Sequence, residues 1–385
     1  MDIPIIKSGY ASPPLGFPRR SPAVDIEDDG NIKDHEWSWA VAAHLPYFAQ
    51  SANYKIAALQ NSSVETSKKA IEVHNLEGDI HAHGDVQSIA SDPSVDLVAI
   101  AIKVSLHAAA VEAALNAGKS VFCEWPLARN GAEAERLASL AQEKGAKTLI
   151  GLQGRQDPAV LKAKEMVAAG DLGDILQTTM LFTSPWFGAT IPESNVYGVD
   201  IENGANLMRI SVGHSLDTLC YVLGELHGIQ ANLANNRPEV TVTDTAGNPK
   251  GTVRKTSHDH CSVTGTLPGG GVATAICQGG MSAVDKNFFW EITGTKGTLL
   301  LEGPMGNVQG FPPTIKFIDA KPEAKPQPIE VPRATGFEYN TGKAWDAFAG
   351  EGAGEAPDFQ VALTRHRMLE AIYRSNEKGT REDYV

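Results

Sequence analysis

Four short segments, YKIAALQN, VDLVAIAI, KSVFCEWP and KTLIGLQ, are apolar at nearly every consecutive position, so none offers a polar face to water. Between them run VETSKKAIEVHNL, HAAAVEAALNAG and GAEAERLASLAQEKG, helical in pattern, the last two ending at Gly118 and Gly145. Strands that must be covered on both faces, alternating with helices long enough to cover them, predict a Rossmann-type parallel sheet wrapped by helices. An opening helix, WSWAVAAHLPYFAQS, and a short strand with a helix start, IHAHGDVQSIAS, complete the unit, which spans 37–155.

After Arg155 the grammar changes. The helix PAVLKAKEMVAAGDLG is followed by ILQTTMLFTS, ELHGIQANLA, HCSVTGTLP, GVATAICQGG, NFFWEITGT and GTLLLEGP, all short, rich in β-branched or aromatic residues and separated by turn formers. Residues 156–385 therefore read as an α+β domain built on a large, mostly antiparallel sheet, interrupted by the helix ANLMRISVGHSLDTLCYVLG and closed by VALTRHRMLEAIYRSNEKG. The stretch IDAKPEAKPQPIEVPRATG reads as an exposed loop. Two domains agree with a length of 385 residues, above the size at which a single core usually stops growing.

A formal charge of −13 without any run of Lys or Arg argues against direct contact with nucleic-acid phosphate. No apolar window is long enough to span a bilayer, which places the protein in the cytoplasm or nucleus. Cys123, Cys220, Cys261 and Cys277 lack zinc-type spacing and read as buried thiols.

Residues 1–36 are poor in periodic apolar pattern and read as a loose leader. A dinucleotide domain ordinarily opens with a strand running into GxGxxG, whose glycines admit a pyrophosphate to a helix N-terminus. Here the residues before the first helix, IEDDGNIKDHEWS, are acidic and hold one glycine. Either the phosphate cradle has been lost, or the start of the gene is misassigned and the true strand and turn are missing; the intact remainder of the unit favours the second. At the end of the second strand, where an acidic residue would accept a ribose hydroxyl, stand Asn61, Ser62 and Ser63, which would not repel a 2′-phosphate.

The order AIAIKVSLHAAAVEAALNAGKSVFCEWPLA, then TLIGLQGRQDP, resembles the Gfo/Idh/MocA oxidoreductase family. The Glu124-Trp125-Pro126 triplet, LQGR ending in Arg155, GHSLD around His214 and EITGTKGTLLLEG resemble that family's repressor-like branch from the fungal galactose regulon. The resemblance implies NAD or NADP as cofactor, contacted near Asn61, Ser62, Lys103, His107, Glu124, Trp125, Pro126 and Arg155. It further implies a sugar-like ligand, a homodimer formed through the sheet of the second domain and, for the repressor branch, a protein partner.

In the family a lysine in the triplet and an aspartate and a histidine on a later helix assist proton transfer. On this chain those positions are Trp125, Ile210 and His214. An indole can donate a hydrogen bond but cannot take up a proton, so only His214 is left as a catalytic candidate. A tryptophan at the pocket mouth is also expected to fill space meant for substrate. Ser105 and His107 open the next helix, and a helix cap is the commoner reason for serine there. No metal site is expected: of His258, Asp259 and His260, only the two histidines can share a strand face. Gly294, Lys296 and Gly297 read as a hairpin turn.

Overall fold

A computed structural model describes residues 2–7, 39–332, 336–352 and 354–385. The first domain runs β1 (Asp2–Lys7), α1 (Leu45–Phe48, preceded by a π-type turn at Ala40–His44), β2 (Lys55–Gln60), α2 (Val64–Val73), β3 (His81–His83), α3 (Val86–Ala90), β4 (Leu97–Ala101), α4 (Val104–Asn116), β5 (Ser120–Glu124), α5 (Gly131–Glu143) and β6 (Thr148–Gly151). Its six strands lie in the order β3-β2-β1-β4-β5-β6, all parallel.

The reading of residues 1–36 as a loose leader is corrected at its start. Asp2–Lys7 is the central strand, paired with Lys55–Gln60 on one side and with Ala99–Ala101 on the other. A strand sandwiched between two others needs no alternation, and IPIIK is short enough to be overlooked beside the Pro- and Gly-rich residues after it. The acidic turn IEDDGNIKDHEWS falls within 8–38, outside the described residues.

Period-two geometry sorts the strand residues onto two faces. Val98, Ile100, Val121, Cys123 and Ile150 pack with Ala110, Val111, Ala114 of α4 and Leu137, Ala138 of α5. Leu97, Ala99, Phe122 and Leu149 pack on the other face with Ala40, Phe48, Trp345 and Phe348. The second face is thus closed by a helix from the far end of the chain.

The second domain runs α6 (Pro158–Ala168), β7 (Ile175–Ser184), β8 (Thr190–Pro192), α7 (Gly213–Leu223, entered through a π-type turn at Met208–Val212), β9 (His227–Ala234), β10 (Glu239–Thr243), β11 (Pro249–Arg254), β12 (His260–Thr266), β13 (Val272–Gly279), β14 (Phe288–Gly294), β15 (Gly297–Gly303), β16 (Thr314–Asp319), β17 (Gln327–Ile329), α8 (Glu338–Ala349) and α9 (Phe359–Lys378). Eight strands form one sheet, β17-β16-β15-β14-β7-β13-β12-β9, antiparallel except where β13 runs parallel to β7. Gly294 and Gly297 bracket a two-residue hairpin turn. A small sheet, β11-β10-β8, and the helix α8 were not legible as elements, and the stretch taken for a loop contributes the edge strand β17. All four cysteines are buried and free. Among the described residues no helix is long and apolar enough to cross a membrane.

Trp345 carries much of the contact between α8 and the first domain. It is fully buried, lies 4.6 Å from the Phe122 ring, and its indole N–H donates to His44 Nδ1 at 3.0 Å. Replacing it with alanine should cost about 3–5 kcal/mol by urea denaturation, whereas Trp345→Phe, which mainly removes the hydrogen bond, should cost about 1–2 kcal/mol. Equal losses in the two variants would show that packing does not anchor this helix.

Candidate functional site

The strand order reverses direction at β1, where the chain leaves for β2 and later returns on the other side at β4. In sheets of this kind the crevice beyond the carboxyl ends at that switch point is the natural place for a ligand. A cavity of about 220 Å³ lies there, walled by Ala101 and Ile102 beyond β4, by Glu124 and Trp125 at the end of β5, and by Gln153 after β6. The second domain closes it with Trp186, Tyr197, Ile210, His214 and Asn307, while Trp39 and Phe337 flank its side.

Glu124 organises the floor. Its Oε1 accepts Trp39 Nε1–H at 2.8 Å and His44 Nε2 at 2.6 Å, and Gln153 Nε2 reaches both carboxylate oxygens at 3.2 and 3.0 Å. Indole is only a donor, so the Trp345 bond obliges His44 Nδ1 to accept and fixes the ring proton on Nε2, toward Glu124. Gly151 is required beside this carboxylate, because a Cβ there would collide with Glu124 Oε2.

Trp125 does not plug the cavity, contrary to expectation. The residue is 5% exposed, its ring lies 4.9 Å from that of His366 in a tilted contact, and it donates its N–H to the Arg209 carbonyl at 2.7 Å. Gly213 makes room for it, since a Cβ would stand 2.6 Å from Nε1. The indole therefore forms a wall with its polar edge turned away to the backbone before α7.

His214 also lines the cavity, with Nδ1 buried and unpartnered among the described residues. Its polar neighbours on α7 are engaged elsewhere: Ser215 Oγ donates to the Gly306 carbonyl, and Asp217 accepts two bonds from Arg155, at 2.8 and 2.6 Å. Burial pushes the His214 pKa down to about 4, partly opposed by Glu124 and Asp217, so the ring is neutral at pH 7. Two other buried acceptors face no donor among the described residues, Gln153 Oε1 and Asn307 Oδ1, both on cavity-lining residues. The amide of Gln153 is oriented by Glu124, which leaves its carbonyl as the free end.

Of the residues singled out from sequence, His107, Glu124, Trp125 and His214 meet at this cavity. His107 is a staple: its ring nitrogens face the carbonyls of Pro126 at 2.8 Å and Ile102 at 3.0 Å, tying the ends of β4 and β5 to α4, and burial lowers its pKa. Lys103 sits at the start of α4 with its ammonium 5.5 Å from the Tyr197 ring. Asn61 and exposed Ser62 lie apart from the cavity, at the carboxyl end of β2, where Ser63 caps α2 in a reciprocal pair with Thr66. Arg155 is not a cavity residue; it is buried against Asp217 and over the Tyr221 ring at 4.9 Å. Gln153, Asn307, Trp39 and Trp186 were missed. Gln153 alone had a sequence signal, as a polar residue closing an apolar strand.

These features define a dinucleotide-fold oxidoreductase architecture, and comparison with known proteins gives its family. Residues 38–152 match the family described as "Oxidoreductase family, NAD-binding Rossmann fold" (GFO_IDH_MocA), and residues 158–303 match "Gal80p, C-terminal domain". The chain is 35% identical to dehydrogenase aclE of Aspergillus oryzae, over 86% of this chain and 89% of that protein. It is 31% identical to the galactose/lactose metabolism regulatory protein GAL80 of Saccharomyces cerevisiae, over 89% and 90%. A super-repressor mutant of Gal80p from the same yeast superposes with a TM-score of 0.84 at 28% identity, covering 99% and 96% of the two chains. Levoglucosan dehydrogenase in complex with NADH and levoglucosan shares the fold, with a TM-score of 0.75 at 20% identity and coverage of 100% and 99%. The chain belongs to the Gfo/Idh/MocA oxidoreductase family and carries a Gal80-like second domain.

The buried neutral histidine makes stability depend on pH. Its folded pKa of about 4 lies below the ordinary 6.5, so the unfolded chain binds the proton more readily and stability falls as pH drops from 6.5 towards 4. His366, buried 4.9 Å from Trp125 beside Arg209, is shifted the same way and adds to the loss. His214→Gln should remove about 2 kcal/mol of the destabilisation seen between pH 7 and pH 5. Denaturant titrations of both proteins at the two pH values check this; identical pH dependence would show that His214 is not held neutral.

Proposed function

We propose that this chain binds a nicotinamide dinucleotide across the carboxyl ends of its parallel sheet and a small, sugar-like molecule in the cavity beside it, and that it works chiefly by binding. The observation that carries this reading is the state of Trp125. The side chain at the family's lysine position has no basic nitrogen, and its N–H is committed to the Arg209 carbonyl.

The residues present fit the cofactor. The crevice opens at the switch point of the parallel sheet, and the end of β2 offers amide and hydroxyl groups to a ribose. Asn61 and Ser62 would meet the adenosine ribose, and Lys103 the sugar or phosphate beyond it. The absence of a carboxylate at the end of β2 leaves NADP as acceptable as NAD. When bound, the nicotinamide supplies a hydride acceptor or donor; the rest falls to the chain's own groups.

The second ligand is constrained by what the cavity lacks. Gln153 Oε1 and Asn307 Oδ1 are unpartnered acceptors, and His214 Nδ1 can be a third, so the ligand must bring O–H or N–H donors. Trp39, Trp186 and Tyr197 add aromatic surface on which the C–H face of a sugar ring can rest. A hydroxylated ring satisfies both demands. His214 is the lining residue with a buried ring nitrogen left unpartnered for proton transfer, and with a pKa near 4 it is a weak base toward a hydroxyl.

Dinucleotide binding with little turnover suits a regulator that contacts a protein partner, and likeness to GAL80 supports that reading. Likeness to dehydrogenase aclE supports slow oxidoreductase chemistry through His214. Fluorescence titration should show saturable binding of both NADH and NADPH, with affinities within about tenfold, because no carboxylate discriminates between them. Incubation with NAD or NADP and a panel of sugars should show at most a slow absorbance change, abolished by His214→Ala with NADH binding retained. Absence of dinucleotide binding would end the proposal, and a fast sustained rate unaffected by His214→Ala would remove both the silent reading and the role given to His214.

The outer face of the eight-stranded sheet presents Leu181, Phe289 and Leu300 half-buried and Val272 and Ile276 exposed. Leu181 pairs with Ile276 on one side and Phe289 on the other, making a continuous apolar row suited to a second copy of the chain. Light scattering should give twice the 41.0 kDa of one chain, and Ile276→Asp should shift it towards the monomer. A wild-type mass of one chain would refute the homodimer.

A further inference from the structure

The edge strand β3 carries two histidines in His-Ala-His order, so both side chains leave the same face of the strand. Asp92, just past α3, meets them there. Its Oδ2 lies 2.7 Å from His81 Nδ1 and 2.9 Å from His83 Nε2. Its other oxygen is fixed by the Ser94 backbone N–H at 2.8 Å and the Ser94 hydroxyl at 2.6 Å. One donor atom from each of the three residues lies within 4.8 Å of the other two. The loop is closed from beneath by the Lys119 ammonium, which donates to the carbonyls of Asp92 and Val95 at 2.9 and 2.6 Å.

The side chain of Asp92 is 3% exposed, that of His83 17% and that of His81 46%. A buried carboxylate with one oxygen locked by hydrogen bonds and the other facing two imidazoles has the orientation that outer hydrogen bonds give to a metal-binding carboxylate. Two imidazole nitrogens and one carboxylate oxygen suit zinc and its neighbours among the divalent transition metals, and are poor for calcium or magnesium, which take oxygen. Ligand bonds of about 2.0–2.2 Å place tetrahedral donors about 3.4 Å apart, so the two His–Asp gaps must open by roughly half an ångström. Rotation of the half-exposed His81 ring supplies that movement, and its open side leaves a position for water.

We propose that His81, His83 and Asp92 bind one divalent transition-metal ion of the zinc class, with solvent in the fourth position. Coordination through His81 Nδ1 and His83 Nε2 leaves the ring proton of each on its other nitrogen, so both imidazoles are neutral ligands and Asp92 supplies the single negative charge. The site stands apart from the cavity. His83 is paired with Gln60 across the sheet, and its carbonyl receives Ser67 Oγ at 2.6 Å, which holds the edge strand to α2; the ion would tie that strand to the turn after α3 that carries Asp92.

The test is calorimetric titration of the full chain with Zn²⁺, and separately with Co²⁺ followed by its visible absorption. One ion per chain is expected, with the intense bands of a four-coordinate cobalt complex. His81→Gln and His83→Gln should each weaken Zn²⁺ binding by at least about tenfold. His258→Gln, at the other histidine cluster, should leave it unchanged. Circular dichroism of each variant without metal separates loss of a ligand from loss of fold, and His81, the most exposed of the three, is the variant that keeps the test valid should His83→Gln unfold. Absence of saturable Zn²⁺ binding, or binding unaltered in a folded His81→Gln or His83→Gln, would overturn the assignment.

Discussion

The carboxylate of Glu124 is the constraint from which the rest of the crevice follows. It stands at the end of β5, nearly withdrawn from water, and a buried negative charge is tolerable only where donors surround it. Trp39 and His44 bring those donors from the first helix and Gln153 from the end of β6, so one group fixes three segments of the first domain. Through His44 the same chain of hydrogen bonds reaches Trp345, which belongs to a helix nearly at the end of the sequence. The order of donors leaves no freedom: indole gives its proton to the bare imidazole nitrogen, and imidazole gives its single N–H to the carboxylate.

A second buried charge network holds the wall opposite. Asp217 on α7 takes the guanidinium of Arg155 in a two-pronged bond, and Arg365 of α9 lies beside it with its own contact to Glu225. Removing one member of such a set leaves an uncompensated charge, so each of these residues holds the others in place. With Arg155 so engaged, the polar groups left for a ligand in the cavity are neutral: two amide oxygens and an unprotonated imidazole.

The sequence revealed the parts of the fold that repeat a period. Strands apolar on both faces and the helices between them were legible, as was the change to shorter β-rich segments after Arg155. Elements whose role depends on distant partners were not. IPIIK carries no alternation that distinguishes it from a stray apolar run, and only its pairing with β2 and β4 makes it the centre of the sheet. TGKAWDAFAG has too few apolar residues for a confident amphipathic pattern, yet Trp345 within it is wholly buried because the second face of the sheet needs a cover. At the site, residue types could be placed at strand ends, but not the direction of their hydrogen bonds. Trp125 was expected to obstruct the cavity because sequence cannot show that Gly213 leaves room for the indole at the start of α7.

That geometry keeps the crevice open with an indole at the end of β5. A lysine at the end of β5 would need its charge solvated or paired at every stage of folding, whereas the indole packs against His366 and joins the two domains by a single neutral hydrogen bond to Arg209. The exchange separates two properties usually linked in such enzymes. Shape, burial and the unpaired acceptors that recognise a ligand are set by Glu124, Gln153, Asn307 and the aromatic walls, none of which depends on an amine. Proton transfer depends on a group whose pKa lies near the working pH, and His214 is held well below it by its own burial. The crevice and its unpaired acceptors are therefore independent of an amine at this position, whereas His214, held neutral by its burial, takes up a proton only in acid.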